Sequence, residues 1–292
     1  MSVDKLQERI RKLKNPSVVD FNMLPEHIPP YIQERDTFFV SAYEYVCTEL
    51  LAGLKDIVPA VRFSLGALSL FGPDGMVVLQ KLLLAAKKLG YYVLLDAPDA
   101  FSRQDVVRGA ELLFAENSDF AFDGLIVNAY IGSDSIRPYG EKMKNADKDL
   151  FVIVRTSNKS APELQDLLTG TRVMHMAAAD VVNRYSETMV GRSGYSKIGA
   201  VAAASSASCL RNIRAAYKSL FLLLDGYDYP NANAKNCSYA FDQLGHGAAA
   251  IAGISVTAAW QEQPVDQREF VRLAIESAER MKKNLLRYIT IL

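Results

Sequence analysis

The chain is short of the residues that usually announce chemistry. It has three cysteines, Cys47, Cys209 and Cys237, far apart in 292 residues. Their odd number and wide spacing argue against a disulfide framework and match no metal-ligand pattern, so they read as buried thiols kept reduced. His27, His175 and His246 are equally scattered, and no metal site is expected from them. Neither charge is in excess, since 33 basic residues face 33 acidic ones. No global field draws in nucleic acid or an anionic membrane surface, although a local phosphate site needs only a few aimed donors. No apolar run reaches the roughly 18 residues of a membrane span. The opening Ser2-Val3-Asp4-Lys5 carries charge where a secretory leader has its apolar segment. A cytoplasmic location is the expectation. Linkers, internal repeats and low-complexity stretches are also missing, so residues 1–292 are read as one domain.

Apolar residues make up half of the chain and fall into eight short runs. These are Val18–Phe21, Ala60–Phe63, Tyr92–Leu95, Gly124–Val127, Leu150–Val154, Ile198–Ala202, Leu220–Leu224 and Ala248–Ala252. Each largely lacks alternation and is rich in branched residues, as befits strands buried on both faces. Segments of helical period lie between them. Val77, Leu79, Leu82, Leu83 and Leu84 form one, with Gly90 as its stop; Val106, Val107, Ala110, Leu112 and Leu113 form another. Eight strands alternating with helices predict a (β/α)8 TIM barrel. An open doubly wound sheet shows the same alternation and is the alternative. Extra terminal helices fit the barrel. Residues 2–14 carry Leu6, Ile10 and Leu13 on one face, to close the bottom, and residues 266–289 turn Phe270, Leu273, Ala274 and Met281 inward. A further helix is expected over 37–56.

Barrel chemistry sits where strands end and the next loops begin. The fourth run leads into Asn128-Ala129-Tyr130-Ile131-Gly132-Ser133-Asp134-Ser135-Ile136-Arg137-Pro138-Tyr139, and the fifth into Arg155-Thr156-Ser157-Asn158-Lys159. Gly194 to Val201 leads into the sixth run, Leu224-Asp225-Gly226-Tyr227 closes the seventh, and Gly247 to Trp260 spans the eighth. In order and spacing, across roughly residues 10–262, this text resembles the longer bacterial branch of the orotidine 5′-phosphate decarboxylases. The resemblance implies a cytoplasmic, cofactor-free, homodimeric carboxy-lyase of pyrimidine biosynthesis, which converts orotidine 5′-phosphate to uridine 5′-phosphate. It also implies a lysine ammonium that steadies the anion left on the ring and then protonates it, among interleaved aspartates and a second lysine. Thr156, Ser157, Gly226 and Tyr227 are the substrate-binding positions that the resemblance carries over.

The charged positions depart from that pattern. Where the family has D-x-K-x-x-D, this chain reads Asp96-Ala97-Pro98-Asp99-Ala100-Phe101. Asp96 is retained, Pro98 replaces the proton-donating lysine, and Phe101 replaces the aspartate that reaches across the dimer. Arg62 stands for the second lysine and Asn22 for the ribose-binding aspartate. In the phosphate grip Pro230 replaces a glutamine and Ile254 an arginine. A positioned acid contributes roughly 100- to 10,000-fold, so its loss alone is severe. The reading is a barrel of this type without efficient decarboxylase activity. It would act as a non-catalytic partner, in a homodimer or in a heterodimer with an intact paralogue, or as a homologue that binds a nucleotide monophosphate. The alternative is a working decarboxylase with relocated groups, with Asp99, Arg103, Arg155 and Lys197 as neighbours near strand ends. A third reading is new chemistry on Asp96, Arg62, Arg155 and Asp228. Plainer roles are also available. Asp96 would pair with Arg62 or cap a helix, Thr156 and Ser157 would satisfy backbone groups, Asn128 and the pair Asp134-Ser135 would be architectural, and Phe101 would fill a dimer face.

Overall fold

All eight apolar runs become parallel strands. They are β1 (Ser17–Asp20), β2 (Ala60–Ser64), β3 (Tyr92–Asp96), β4 (Gly124–Asn128), β5 (Asp149–Ile153), β6 (Ile198–Ala203), β7 (Leu222–Asp225) and β8 (Ala248–Ala252). The computed structural model describes residues 2–36, 38–262 and 267–292. The expected helices over 37–56 and 266–289 each begin on a residue outside the described ones; their described parts form Phe39–Leu54 and Phe270–Leu286. Every strand pairs with its sequence neighbours, and β1 also pairs with β8, Val18 facing Ala60 on one side and Ile251 on the other. The sheet is therefore a closed ring, which rules out the open doubly wound alternative. Among the described residues no helix is long and apolar enough to cross a membrane.

Inside the ring, bulk and its absence are matched. The Phe151 ring is fully buried and meets Phe221 edge-on at 6.2 Å. A Cβ on Gly124 or Gly199 would come within 2.8 Å of that ring, so the two flanking strands need glycine at its height. Phe21 and Phe63 stack at 5.0 Å toward the other end.

Helix Ser2–Leu13 closes the bottom. Leu6 and Ile10 are buried, and Leu13 is only half-buried. Gln7 accepts from the Gly247 N–H at 3.0 Å, and Arg9 donates to the Pro59 carbonyl at 3.0 Å, so the helix ties down the lead-ins to β8 and β2. In helix Gly72–Lys88 the buried stripe is Val78, Leu79, Leu82, Leu83 and Ala86, while Val77 and Leu84 face solvent. In helix Arg103–Leu113, Val106, Ala110 and Leu113 are buried while Val107 and Leu112 are exposed. Both expected stripes were drawn too wide. A period of 3.6 keeps one face against the barrel, and these four residues lie off it. Gly90, at φ +87°, ends the first of these helices as expected.

Lys197 sits at the start of β6, at the bottom, and donates to the Met143 and Ala146 carbonyls at 3.2 and 2.7 Å. It therefore cannot serve the mouth. Nearby, Tyr92 donates to the Asp149 carboxylate at 2.6 Å. Burial pushes the Asp149 carboxyl up to about 8, and neighbouring Asp123 adds to this, against the pull of the Tyr92 hydrogen bond and the Lys197 charge. Because the folded value lies above the ordinary 3.8, the contribution to stability is present at low pH and is lost as pH rises toward about 8. Asp149→Asn removes this loss. Urea titrations at pH 5 and pH 9 are expected to show the wild type falling behind the variant by about 4 kcal/mol; a difference that does not change with pH contradicts the assignment.

Candidate functional site

At the top of the barrel, charged residues interrupt otherwise apolar strands. Arg62 lies in the middle of β2, Asp20 ends β1 and Asp225 ends β7. Ring closure brings the three together. Arg62 Nη2 donates to Asp20 Oδ2 at 2.6 Å and Nη1 to Asp225 Oδ1 at 2.8 Å. The Arg62 side chain is only 13% exposed, so the guanidinium is held in a largely dry setting. Burial alone would lower its pKa, but the charges of Asp20, Asp225 and Asp96 outweigh burial and hold it well above its usual range. It is a fixed cation and not an acid.

Asp96 does not pair with Arg62 by hydrogen bond, contrary to expectation; the Nη groups of Arg62 donate to Asp20 and Asp225 instead. Nor does it cap a helix; Ser102 caps Arg103–Leu113 by accepting from the Asp105 N–H. Asp96 Oδ1 is buried and has no hydrogen-bond partner, and the same holds for Asp20 Oδ1 and Arg62 Nε. Burial raises the Asp96 carboxyl to about 6; Arg62 opposes this, and Asp20, Asp225 and Asp99 reinforce it.

Asp20, Asn22, Arg62, Asp225, Asp228 and Ile254 help to line a cavity of about 320 Å³ at this mouth. Arg62 is the one cation among the described lining residues, against three carboxylates. A larger hollow of about 930 Å³, lined in part by Lys5, Lys87 and Lys148, lies beside Asp123 and Asp147, where β4 and β5 begin. Barrel chemistry belongs at the other end of the strands, so the smaller cavity is the better candidate.

Loops complete the mouth. Gly226 follows β7 at φ +76°, and a Cβ there would strike Ser157 and Tyr229. The Ser157 hydroxyl lies 2.7 Å from the Asp225 carbonyl and 2.9 Å from Asp225 Oδ2, so it is already used inside the protein. The Thr156 N–H donates to Gln165 Oε1 at 2.7 Å. Arg155 forks onto Asp166 at 3.0 and 2.8 Å. Tyr227 is anchored through its N–H to the Ile251 carbonyl at 3.0 Å, and burial raises its phenol to about 12. After β7, Asp228 Oδ2 accepts from the Gly253 N–H at 2.6 Å, and Ser255 donates its hydroxyl to the same carboxylate. Pro230 is exposed on this loop and Ile254 lies at the rim.

Around β3 and β4 the groups are structural. Asn128 donates its amide to the Pro98 carbonyl and, at 3.2 Å, to the Ala100 carbonyl, pinning the turn that follows β3. Phe101 and Tyr130 meet edge-on at 6.4 Å and are 61% and 81% exposed. Asp134-Ser135 lies in a short 3-10 turn, Gly132–Ser135, and the next helix, Arg137–Met143, has no side-chain cap. That pair does not cap the helix, since Ile136 takes the cap position. Asp20 and Asp225 were missed as site residues. The available signal was an acidic residue closing an apolar run, with an arginine embedded in a neighbouring one.

No protein-family model matches the chain. It is 27% identical to the orotidine 5′-phosphate decarboxylase of Caldicellulosiruptor saccharolyticus over 265 residues, 84% of this chain and 85% of that protein. It is 29% identical to the enzyme of that name from Rhodopirellula baltica over 230 residues (77% and 76% of the two chains). With that of Clostridium novyi it shares 24% over 289 residues, 97% and 98% of the two. Its fold is similar to that of Plasmodium berghei orotidine 5′-monophosphate decarboxylase, with a TM-score of 0.80 at 12% identity over 99% and 98% of the chains. Leishmania donovani OMP decarboxylase gives 0.70 at 21% identity over 97% and 98%. The chain thus resembles these decarboxylases in sequence over most of its length and shares their barrel fold.

Removing Arg62 leaves Asp20 and Asp225 buried without their counter-charge. Arg62→Leu is expected to lower unfolding free energy by about 3–5 kcal/mol, and adding Asp20→Asn and Asp225→Asn is expected to recover most of it. Chemical denaturation checks both; a loss under roughly 1 kcal/mol for the single change contradicts the clamp.

Proposed function

We propose that this barrel keeps the architecture of an orotidine 5′-phosphate decarboxylase without its efficient catalysis. Its mouth and its exposed upper loops then serve binding, of a nucleotide-like small molecule and of a second barrel. The observation that carries the reading is the Arg62 clamp. Decarboxylation leaves an electron pair on a ring carbon, and something must stabilise and protonate it. The mouth cavity offers one cation among its described lining residues, already neutralised by Asp20 and Asp225, and a guanidinium does not give up a proton at working pH. Pro98 brings a carbonyl where a donor is needed, and Lys197 is tied at the opposite end. The second barrel would be this chain's own copy or an intact paralogue, and the exposed pair Phe101–Tyr130 supplies the aromatic surface that such contacts favour. A cytoplasmic location belongs to the same proposal.

A working decarboxylase is the second reading. It is favoured by the likeness to proteins of that name and by Asp96, a buried carboxyl poised near 6 that would have to serve as the relocated acid. An ultraviolet assay with orotidine 5′-phosphate at pH 5.5 and 7.5, on wild type and Asp96→Asn, separates the two. The expected result is no turnover near the rates of roughly 1 s⁻¹ or more that are ordinary for enzymes. Turnover that falls above pH 6 and vanishes in the variant supports the second reading instead. For the partner role, light scattering is expected to find a dimer, alone or after mixing with an intact decarboxylase, that Phe101→Glu with Tyr130→Glu weakens. A wild type that stays monomeric in both settings contradicts it.

A further inference from the structure

The loops after β7 and β8 meet above the cavity, and their contact is an anion held by the chain itself. Asp228 Oδ2 accepts from the Gly253 N–H at 2.6 Å and lies 3.4 Å from the Ser255 N–H, while the Ser255 hydroxyl donates to Asp228 Oδ1. Ser255 is itself fixed, since its carbonyl accepts from the Ser277 hydroxyl at 2.6 Å. Two backbone N–H groups and a hydroxyl aimed at one carboxylate are donors of the kind with which a chain holds an oxyanion. Here they are spent on a side chain.

The rest of the mouth works in the same direction. Asp20, Asp225 and Asp228 face the cavity against Arg62 alone, and Arg62 has both Nη groups engaged. A phosphate entering would meet uncompensated carboxylates and find its natural donors occupied. Hydroxyl groups would fare better, since they can donate to the carboxylates of Asp20, Asp225 and Asp228 that line the mouth.

We infer that Asp228 is the specificity-determining residue of this mouth, and that it makes the barrel select an uncharged, hydroxyl-bearing ligand of nucleoside type over the corresponding phosphomonoester. This rests on the reading of the mouth as a small-molecule site. Selection by repulsion is enough here, because discrimination needs only that the wrong ligand meet an unpaired like charge.

Isothermal titration of the full chain with uridine and with uridine 5′-monophosphate tests it, in wild type and in Asp228→Asn. Wild type is expected to bind uridine roughly ten-fold more tightly than the monophosphate, and the variant to lose most of that preference. Inorganic phosphate, titrated into the wild-type complex with uridine, is expected not to compete, which gives an answer even where the variant folds poorly. A wild type that prefers the monophosphate, a preference unchanged in a folded variant, or competition by phosphate overturns the inference and leaves the mouth standing as a ligand site. Failure of both ligands to bind any of the proteins overturns the mouth as a nucleoside or nucleotide site, and this inference with it.

Discussion

Arg62 carries a permanent positive charge into a ring of apolar strands, and the carboxylates of Asp20 and Asp225 keep it there. Each partner comes from a strand beside or across the ring, so the clamp exists only when the barrel is closed. Fold and site are coupled through it. The same clamp fixes the electrostatics of the mouth, because a guanidinium already facing two carboxylates has little left to offer an incoming anion. Asp96 has no hydrogen bond to Arg62, and its burial, reinforced by Asp20 and Asp225, raises its carboxyl to about 6 against the pull of the Arg62 charge.

The likeness to orotidine 5′-phosphate decarboxylases extends along nearly the whole chain. Asn128, the stretch from Arg155 to Lys159 and Gly226-Tyr227, on which the sequence resemblance was read, pin turns and strand ends. Asn128 holds the Pro98 and Ala100 carbonyls, Ser157 ties β5 to β7, and Gly226 passes where a side chain would not fit. Such residues preserve a shape whatever chemistry occurs above it. On the proposed reading, Pro98, Phe101, Pro230 and Ile254 stand at the positions whose side chains would have to meet a substrate or a partner, so that shape and chemistry separate along the sequence.

This separation also explains what could be read from the sequence. The eight strands were legible because strands buried on both faces leave short runs of branched and small residues. The helical stripes were legible in place but drawn too wide, as Val77 and Val107 show, because adjacent apolar residues do not reveal which one faces the sheet. Pairings were much less legible. Arg62 was expected to find Asp96, on the neighbouring strand β3, and instead took Asp20, its register partner on β1, and Asp225, which becomes its neighbour only through closure. Asp228 stood out as a polar loop residue, but its engagement with the Gly253 and Ser255 N–H groups depends on how two loops fold over each other. Lys197 was misplaced because its text flanks a strand whose direction decides whether it faces the mouth or the bottom.

Activity at this mouth depends on whether any group there can protonate a pyrimidine carbanion. The most direct measurement is a single-turnover experiment with protein in excess over carboxyl-labelled orotidine 5′-phosphate, following release of labelled carbon dioxide. Release no faster than in buffer alone is the predicted result. A burst matching the amount of substrate, arising from the wild-type protein and absent when Arg62 or Asp96 is replaced, would contradict it.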